Sequence, residues 1–212
     1  MKIALLNENS QANKNSIIYN ELNEVCKTKG FELYNYGMND NSDANLTYVQ
    51  LGLLASILLN TKAVDFVITG CGTGQGAMMA LNSFNGVCCG LVVDPTDAYL
   101  FSQINGGNSI SIPYAKGFGW GAELNLKNIF EQLFKEEIGL GYPKERAVPQ
   151  SFNRNKLNEI KNAISKDLLT ILKSIDQEFL YNTINNKYFI DNFFNNSKDE
   201  KINEYLKQVL NI

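Results

Sequence analysis

Five short apolar runs, each handed on to a stretch of helical periodicity, restrict what this chain can fold into more than any other feature. Residues 2–6 (KIALL) are apolar and stop at polar Asn7, Glu8 and Asn9, as a buried strand does where it ends in a loop. Over 14–29, Ile18, Leu22, Val25 and Cys26 recur at helical spacing, and Gly30 stops the pattern. Residues 31–36 alternate and end at Gly37, a second strand. A polar loop over 39–45 leads to a helix carrying Leu46, Val49, Gln50, Leu53, Leu54, Ile57 and Leu58. Residues 64–70 read as the third strand, 75–84 as the start of a Met- and Ala-rich helix, and 87–93 as the fourth strand. Asp94 then stands as a cap with Pro95 at the first helical position, before a fifth strand over 109–113 and a helix over 120–136. This alternation predicts a Rossmann-like α/β fold: a five-stranded parallel sheet with helices on both faces. Ligands of such sheets bind at the C-terminal strand ends, near a topological switch point. That edge carries residues 7–9, residues 70–76, Asp94 and the loop after residue 102.

The character changes around Gly139 and Pro143. Beyond Pro149 the chain lacks glycine and is rich in Asn, Lys, Ile and Leu. Ile160, Ile164, Leu168, Ile171, Leu172, Ile175 and Phe179 are expected on one helical face, and 198–211 as a last amphipathic helix. The expected organisation is an α/β unit over 1–146 and a C-terminal helical extension over 147–212, packed on the sheet unit or on a partner subunit.

Composition removes several function classes. The net charge is -3 with both signs scattered, so no basic stripe points to nucleic acid or to an anionic membrane surface. No run approaches the roughly 18–20 apolar residues that span a bilayer, and the first apolar run is too short for a signal peptide. The four cysteines, Cys26, Cys71, Cys88 and Cys89, form no CxxC pair, which fits free thiols in the cytoplasm. Cys26, Cys88 and Cys89 lie in apolar patterns and are expected to pack, while the lone Trp120 is an interface candidate. The chain has no histidine. That excludes the Ser-His-Asp triad, the Cys-His dyad and His-based zinc sites together, leaving acid–base work to Cys, Asp, Glu, Tyr or Lys. No metal site is expected.

The informative motif is Gly70-Cys71-Gly72-Thr73-Gly74-Gln75-Gly76, delivered by the third strand. Glycines let the backbone approach a ligand and turn its N–H groups inward, and the following helix adds its positive end. A cysteine in that field is expected to have a lowered pKa. Gly72-x-Gly74-x-x-Ala77 fits a loose dinucleotide fingerprint, but that motif belongs after the first strand. A P-loop would need Gly-Lys-Ser/Thr, and a cysteine phosphatase an Arg about five residues on, where Gly76, Ala77 and Met78 stand. A bare turn with an inert thiol explains four glycines around Cys and Thr poorly.

This loop, followed by Gly86-Val87-Cys88-Cys89 and Gln103-Ile104-Asn105-Gly106-Gly107-Asn108, resembles the ribose-5-phosphate isomerase B / galactose-6-phosphate isomerase family over about residues 1–146. The resemblance implies an aldose–ketose isomerase without cofactor. Cys71 would be the base that moves a proton between C1 and C2 of an open-chain sugar. The N–H groups of Gly72, Thr73, Gly74 and Gly76 would hold the enediolate, with Thr73 at a substrate hydroxyl. Tyr48 and Asn105 fall on further substrate positions. The family's Asp-His pair after the first strand is here Glu8-Asn9, its ring-opening His is replaced by Ile104, and of its phosphate-gripping Arg pair only Arg146 stands near its place, with Lys144 beside it. Both losses suit an open-chain, non-phosphorylated sugar acid such as 4-deoxy-L-threo-5-hexosulose uronate, its carboxylate held by Asn9, Arg146 or a helix N-terminus. A pentose or hexose phosphate is the alternative substrate. A non-catalytic sugar-binding homologue or subunit is the alternative of another class. The resemblance also implies a homodimer or a dimer of dimers. Glu8, Asn9 and the Lys144–Arg146 segment read equally well as ordinary loop polars, and Tyr48 as core.

Overall fold

In the computed structural model the described residues are 1–39 and 45–212, so all but the ends of the polar loop expected over 39–45 lie outside them. The strands are β1 (Lys2–Asn7), β2 (Glu32–Asn35), β3 (Phe66–Cys71), β4 (Cys89–Leu91) and β5 (Ser109–Pro113). They form one sheet in the order β2-β1-β3-β5-β4, and each adjacent pair is parallel. The helices between them are α1 (Asn15–Lys29), α2 (Tyr48–Asn60), α3 (Gln75–Asn82), α4 (Pro95–Leu100) and α5 (Ala122–Leu133). Two elements were not expected: a 3-10 turn over Asn9–Lys14, and a π-helical turn over Phe101–Asn105 that prolongs α4. The fourth strand is shorter than the apolar run 87–93 that announced it.

Strand periodicity divides the core in two. Ile3, Leu5, Phe66, Ile68, Ile110 and Ile112 face α1 and α5. Ala4, Leu6, Val67 and Cys71 face α2 and α3. Asn7 pairs in register with Gly70, and Glu8 N–H donates to Gly70 O at 3.1 Å. The chain leaves β1 towards β2 on one side and returns to β3 on the other, so the crevice above Asn7 and Cys71 is the switch point. Asp94 follows edge strand β4, and its carboxylate caps α4 by accepting from Thr96 and Asp97 N–H groups.

Beyond residue 146 run α6 (Ala147–Ile164), α7 (Leu168–Ser174), α8 (Gln177–Ile184), α9 (Lys187–Asn196) and α10 (Glu200–Leu210). Pro149 sits in the first turn of α6, where its missing N–H has no intrahelical partner to lose. The single apolar face expected over Ile160–Phe179 is corrected: it is broken twice. Asp167 accepts from Thr170 N–H and Asp176 from Phe179 N–H, each starting a new helix. The breaks turn Leu172 and Leu180 into the core and leave Ile160 and Ile164 on the surface.

The C-terminal helices cover the outer side of α2. Leu172, Leu180, Ile184, Phe189, Phe193, Ile202 and Leu206 join the core cluster of α2 and β1. Ten of the thirteen α2 residues are therefore buried, which explains a helix that is apolar all round. Hydrogen bonds to backbone carbonyls bind the layers together: Lys198 N–H donates to Thr61 O at 2.8 Å, and the Lys161 side-chain Nζ to Val87 O at 2.6 Å. Among the described residues no helix is long and apolar enough to cross a membrane.

Candidate active site

Cys71 ends β3 and is buried, with its side chain on the α2 face of the sheet. Behind it, Gly70 lies under the ring of Tyr114. A methyl group at Gly70 would collide with that ring and with Ile112 O, so only glycine fits. The loop is held from β5 by its carbonyls: Cys71 O accepts from Tyr114 N–H at 3.0 Å, Gly72 O from Ala115 N–H at 2.9 Å, and Gly74 O from Ser111 Oγ at 2.7 Å. Gly74 adopts φ 72° as the N-cap of α3, a backbone that favours glycine. With the carbonyls committed to β5, the amides turn the other way. Among the described residues none accepts from the N–H groups of Gly72, Thr73 or Gly74. Gly76 lies in the first turn of α3, where N–H groups have no intrahelical acceptor. Thr73 is exposed and its Oγ1 accepts from Gln75 N–H at 3.4 Å.

Tyr48 is the first residue of α2, fixed there by the capping box of Thr47 and Gln50. It is not core: its side chain is half exposed, and its ring lies 3.3 Å from where a Gly76 Cβ would stand. The same point is 3.8 Å from Cys71 Sγ. Tyr48, Gly76 and Cys71 thus lie side by side. Glu8 caps the 3-10 turn through Ser10, and Asn9 is tied by its N–H to Leu46 O at 2.7 Å, which brings the β1 loop against the start of α2.

Three residues here escaped the sequence reading. Gln11 is buried with its Nε2 3.7 Å from the Cβ position of Gly72. Lys14 donates to Gln11 and to Tyr114 O. Burial, and after it any negative charge on Cys71, pushes the Tyr114 hydroxyl above its ordinary range, so it stays neutral. The available signal was position: polar residues directly after a strand that ends at the switch point.

Asn105 and Arg146 do not join this cluster within one chain. Asn105 ends the π-helical turn and lines a cavity of about 270 Å³ with Cys88, Ile104, Gln150, Arg154 and Leu157, none of them from the loop. Arg146 is exposed in the turn Lys144–Arg146, where Lys144 pairs with Glu136 at 2.5 Å. The guanidinium expected near the domain end is instead accompanied by Arg154 of α6, packed against Gly106 and Gly139. Burial lifts Cys89 to about 12 and raises Cys88, in keeping with packing. Trp120 is fully exposed. Among the described residues no group of His, Cys, Asp or Glu could hold a metal ion.

Comparison with known proteins fits this geometry. The model of the Ribose/Galactose Isomerase family matches residues 3–141, and a second family, described as Ribose-5-phosphate isomerase, matches residues 163–209. No curated protein matches. Among solved structures, a 4-deoxy-L-threo-5-hexosulose-uronate ketol-isomerase complexed with a tartrate is 60% identical, covers 100% of both chains and superposes with a TM-score of 0.98. A ribose-5-phosphate isomerase from Vibrio parahaemolyticus is 51% identical over 99% of both chains, TM-score 0.96. Ribose-5-phosphate isomerase B of Clostridium thermocellum, 22% identical, shares the fold over 78% of this chain and 100% of its own, TM-score 0.61. By the family match across the α/β part and the full-length relatives at 60% and 51% identity, the chain belongs to the ribose/galactose isomerase family of sugar isomerases.

Proposed function

We propose that this chain is an aldose–ketose isomerase that works through a cis-enediolate, with Cys71 as base and an open-chain sugar acid of the 4-deoxy-L-threo-5-hexosulose uronate type as substrate. The observation that carries the reading is a buried thiol on the same glycine loop as unengaged backbone N–H groups, with the Tyr48 ring beside Gly76. The Cys71 thiolate takes the C2 hydrogen as a proton, the C1–C2 double bond forms, and the carbonyl electrons settle on O1. The N–H groups of Gly72, Thr73, Gly74 and Gly76 stabilise that charge, commonly a large catalytic term. The thiol then returns the proton to C1 while the O2 hydroxyl proton passes to O1, a transfer in which Thr73 takes part. Glu8, Asn9 and Tyr48 border the substrate on the β1 and α2 sides. No cofactor enters.

The full-length likeness to a uronate ketol-isomerase supports the sugar-acid substrate, as does the absence of histidine. The 51% identical relative favours a second reading, a pentose phosphate substrate. We also propose a homodimer, in which Asn105 and Arg146 complete the loop of the partner subunit. Val148, Phe152, Leu157, Ile160 and Ile164 of α6 are exposed apolar side chains that such an interface would cover. The free thiols fit a reducing cytoplasm.

The test is turnover in deuterium oxide. With the uronate, deuterium enters C1 of the ketose product, and Cys71→Ser abolishes both exchange and turnover. Faster turnover of ribose 5-phosphate than of the uronate overturns the substrate, and an active Cys71→Ser overturns the mechanism.

A further inference from the structure

The 3-10 turn after β1 holds a chain of hydrogen bonds whose direction is fixed at both ends. Lys14 Nζ can only donate. It gives one hydrogen to Tyr114 O at 2.5 Å and one to Gln11 Oε1 at 2.8 Å, and stands 4.7 Å from the centre of the Phe118 ring. The Gln11 amide must therefore present its oxygen to Lys14 and its NH2 to the other side. That NH2 donates to Ser10 Oγ at 2.8 Å. Ser10 Oγ is free to accept because its own hydrogen goes to Glu8 Oε2 at 2.6 Å. The polarity runs without a break from the Lys14 ammonium through Gln11 and Ser10 to the Glu8 carboxylate.

An amide NH2 has two hydrogens, and Ser10 takes one. Gln11 Nε2 lies 3.7 Å from the open Cβ position of Gly72, beside the loop N–H groups that no described residue engages. Gln11 is only 7% exposed, so its second hydrogen has little bulk water to meet. We infer that Gln11 is a side-chain donor to a substrate oxygen held over Gly72, and that Lys14 is the positioning residue that fixes the orientation of its amide. Lys14 cannot itself be the contact, because its ammonium is committed to Tyr114, Gln11 and the Phe118 face. A donor here adds a neutral hydrogen bond beside Gly72, so the substrate oxygen is gripped between the turn after β1 and the loop. The inference rests on the isomerase reading above.

The experiment compares Gln11→Glu, Lys14→Met and Cys71→Ser in the full chain, with the uronate as substrate. In Gln11→Glu the new carboxylate still accepts from Lys14 but offers no hydrogen. Its kcat should fall on the order of a hundredfold to a thousandfold, the range for loss of one preorganised donor, with KM and melting temperature nearly kept. Lys14→Met leaves Gln11 in place but lets the amide turn, so kcat should fall less, again without a matching rise in KM. Wild-type kcat and KM in Gln11→Glu overturn the inference. If Gln11→Glu does not fold, Lys14→Met decides: a fall in kcat at constant KM upholds it, and unchanged kcat overturns it. Inactive Cys71→Ser beside fully active Gln11→Glu sinks only this inference, whereas active Cys71→Ser sinks the isomerase reading beneath it.

Discussion

Replacing Gly76 by alanine should separate stability from turnover. Gly76 is the second residue of α3, after the Gly74 cap, and its φ is not among the positive ones. A Cβ there meets Tyr48 Cγ and Cδ2 at 3.3 Å and Cys71 Sγ at 3.8 Å. The first contact is tight by a few tenths of an ångström, but the Tyr48 ring is half exposed and can yield. Alanine in place of glycine gains up to about 1 kcal/mol inside a helix and less in its first turn. With the Tyr48 contact set against that gain, stability should stay within about 1 kcal/mol of wild type, or some 2–4 °C in melting temperature for a chain of this size. The methyl group, however, stands in the gap between the Tyr48 ring and Sγ. A reacting carbon must come within roughly 3–3.5 Å of the base, and a misplacement near 1 Å costs on the order of a hundredfold. That corresponds to about 2.7 kcal/mol of barrier. Urea midpoints and kcat/KM on the uronate check the two halves together. If Gly76→Ala keeps kcat/KM within about threefold of wild type, a barrier change far below that hundredfold, the gap is not the place of reaction. A stability loss above about 2 kcal/mol would refute the packing argument.

Three further outcomes follow from the same structure. Burial lifts the Cys26 thiol to about 11, so it stays protonated in the fold while an unfolded thiol ionises near 8.5. The raised value stabilises the fold fully below about pH 8.5 and that contribution is lost as pH climbs towards 11, about 3 kcal/mol in all; urea midpoints should fall across that window, and less steeply in Cys26→Ala. Truncation after Arg146 strips Leu172, Leu180, Phe189 and Phe193 from the outer side of α2, and the remaining piece should lose its near-ultraviolet circular dichroism and aggregate; a monodisperse, folded 1–146 would instead make that stretch an autonomous domain. Phe152→Asp on α6 should shift the proposed dimer to monomer by light scattering and lower turnover with it, while an unchanged dimer mass would place the interface elsewhere.

The site was legible in the sequence where a backbone requirement dictates the residue. Gly70 and Gly74 are glycines because a Tyr114 ring and a left-handed cap leave no room for a side chain, so the Cys71 loop announced itself. Gln11 and Lys14 did not, because polar residues at a strand end look like any loop until the partners that orient them are known. Arg154 stayed hidden likewise: two glycines, Gly106 and Gly139, make its berth from distant parts of the chain.

By itself the sequence determined the parallel α/β alternation, the position of the glycine loop at a strand end and the exclusion of histidine chemistry, because periodicity, turn residues and composition are local. Tertiary structure decided that the face expected over Ile160–Phe179 breaks into separate helices, that α2 is buried on all sides, and that Asn105 and Arg146 stand away from Cys71. Those outcomes depend on which apolar surfaces meet. The aspartates at 167 and 176 permit the breaks, but it is the uncovered side of α2 that draws Leu172 and Leu180 inward and leaves Ile160 and Ile164 outside.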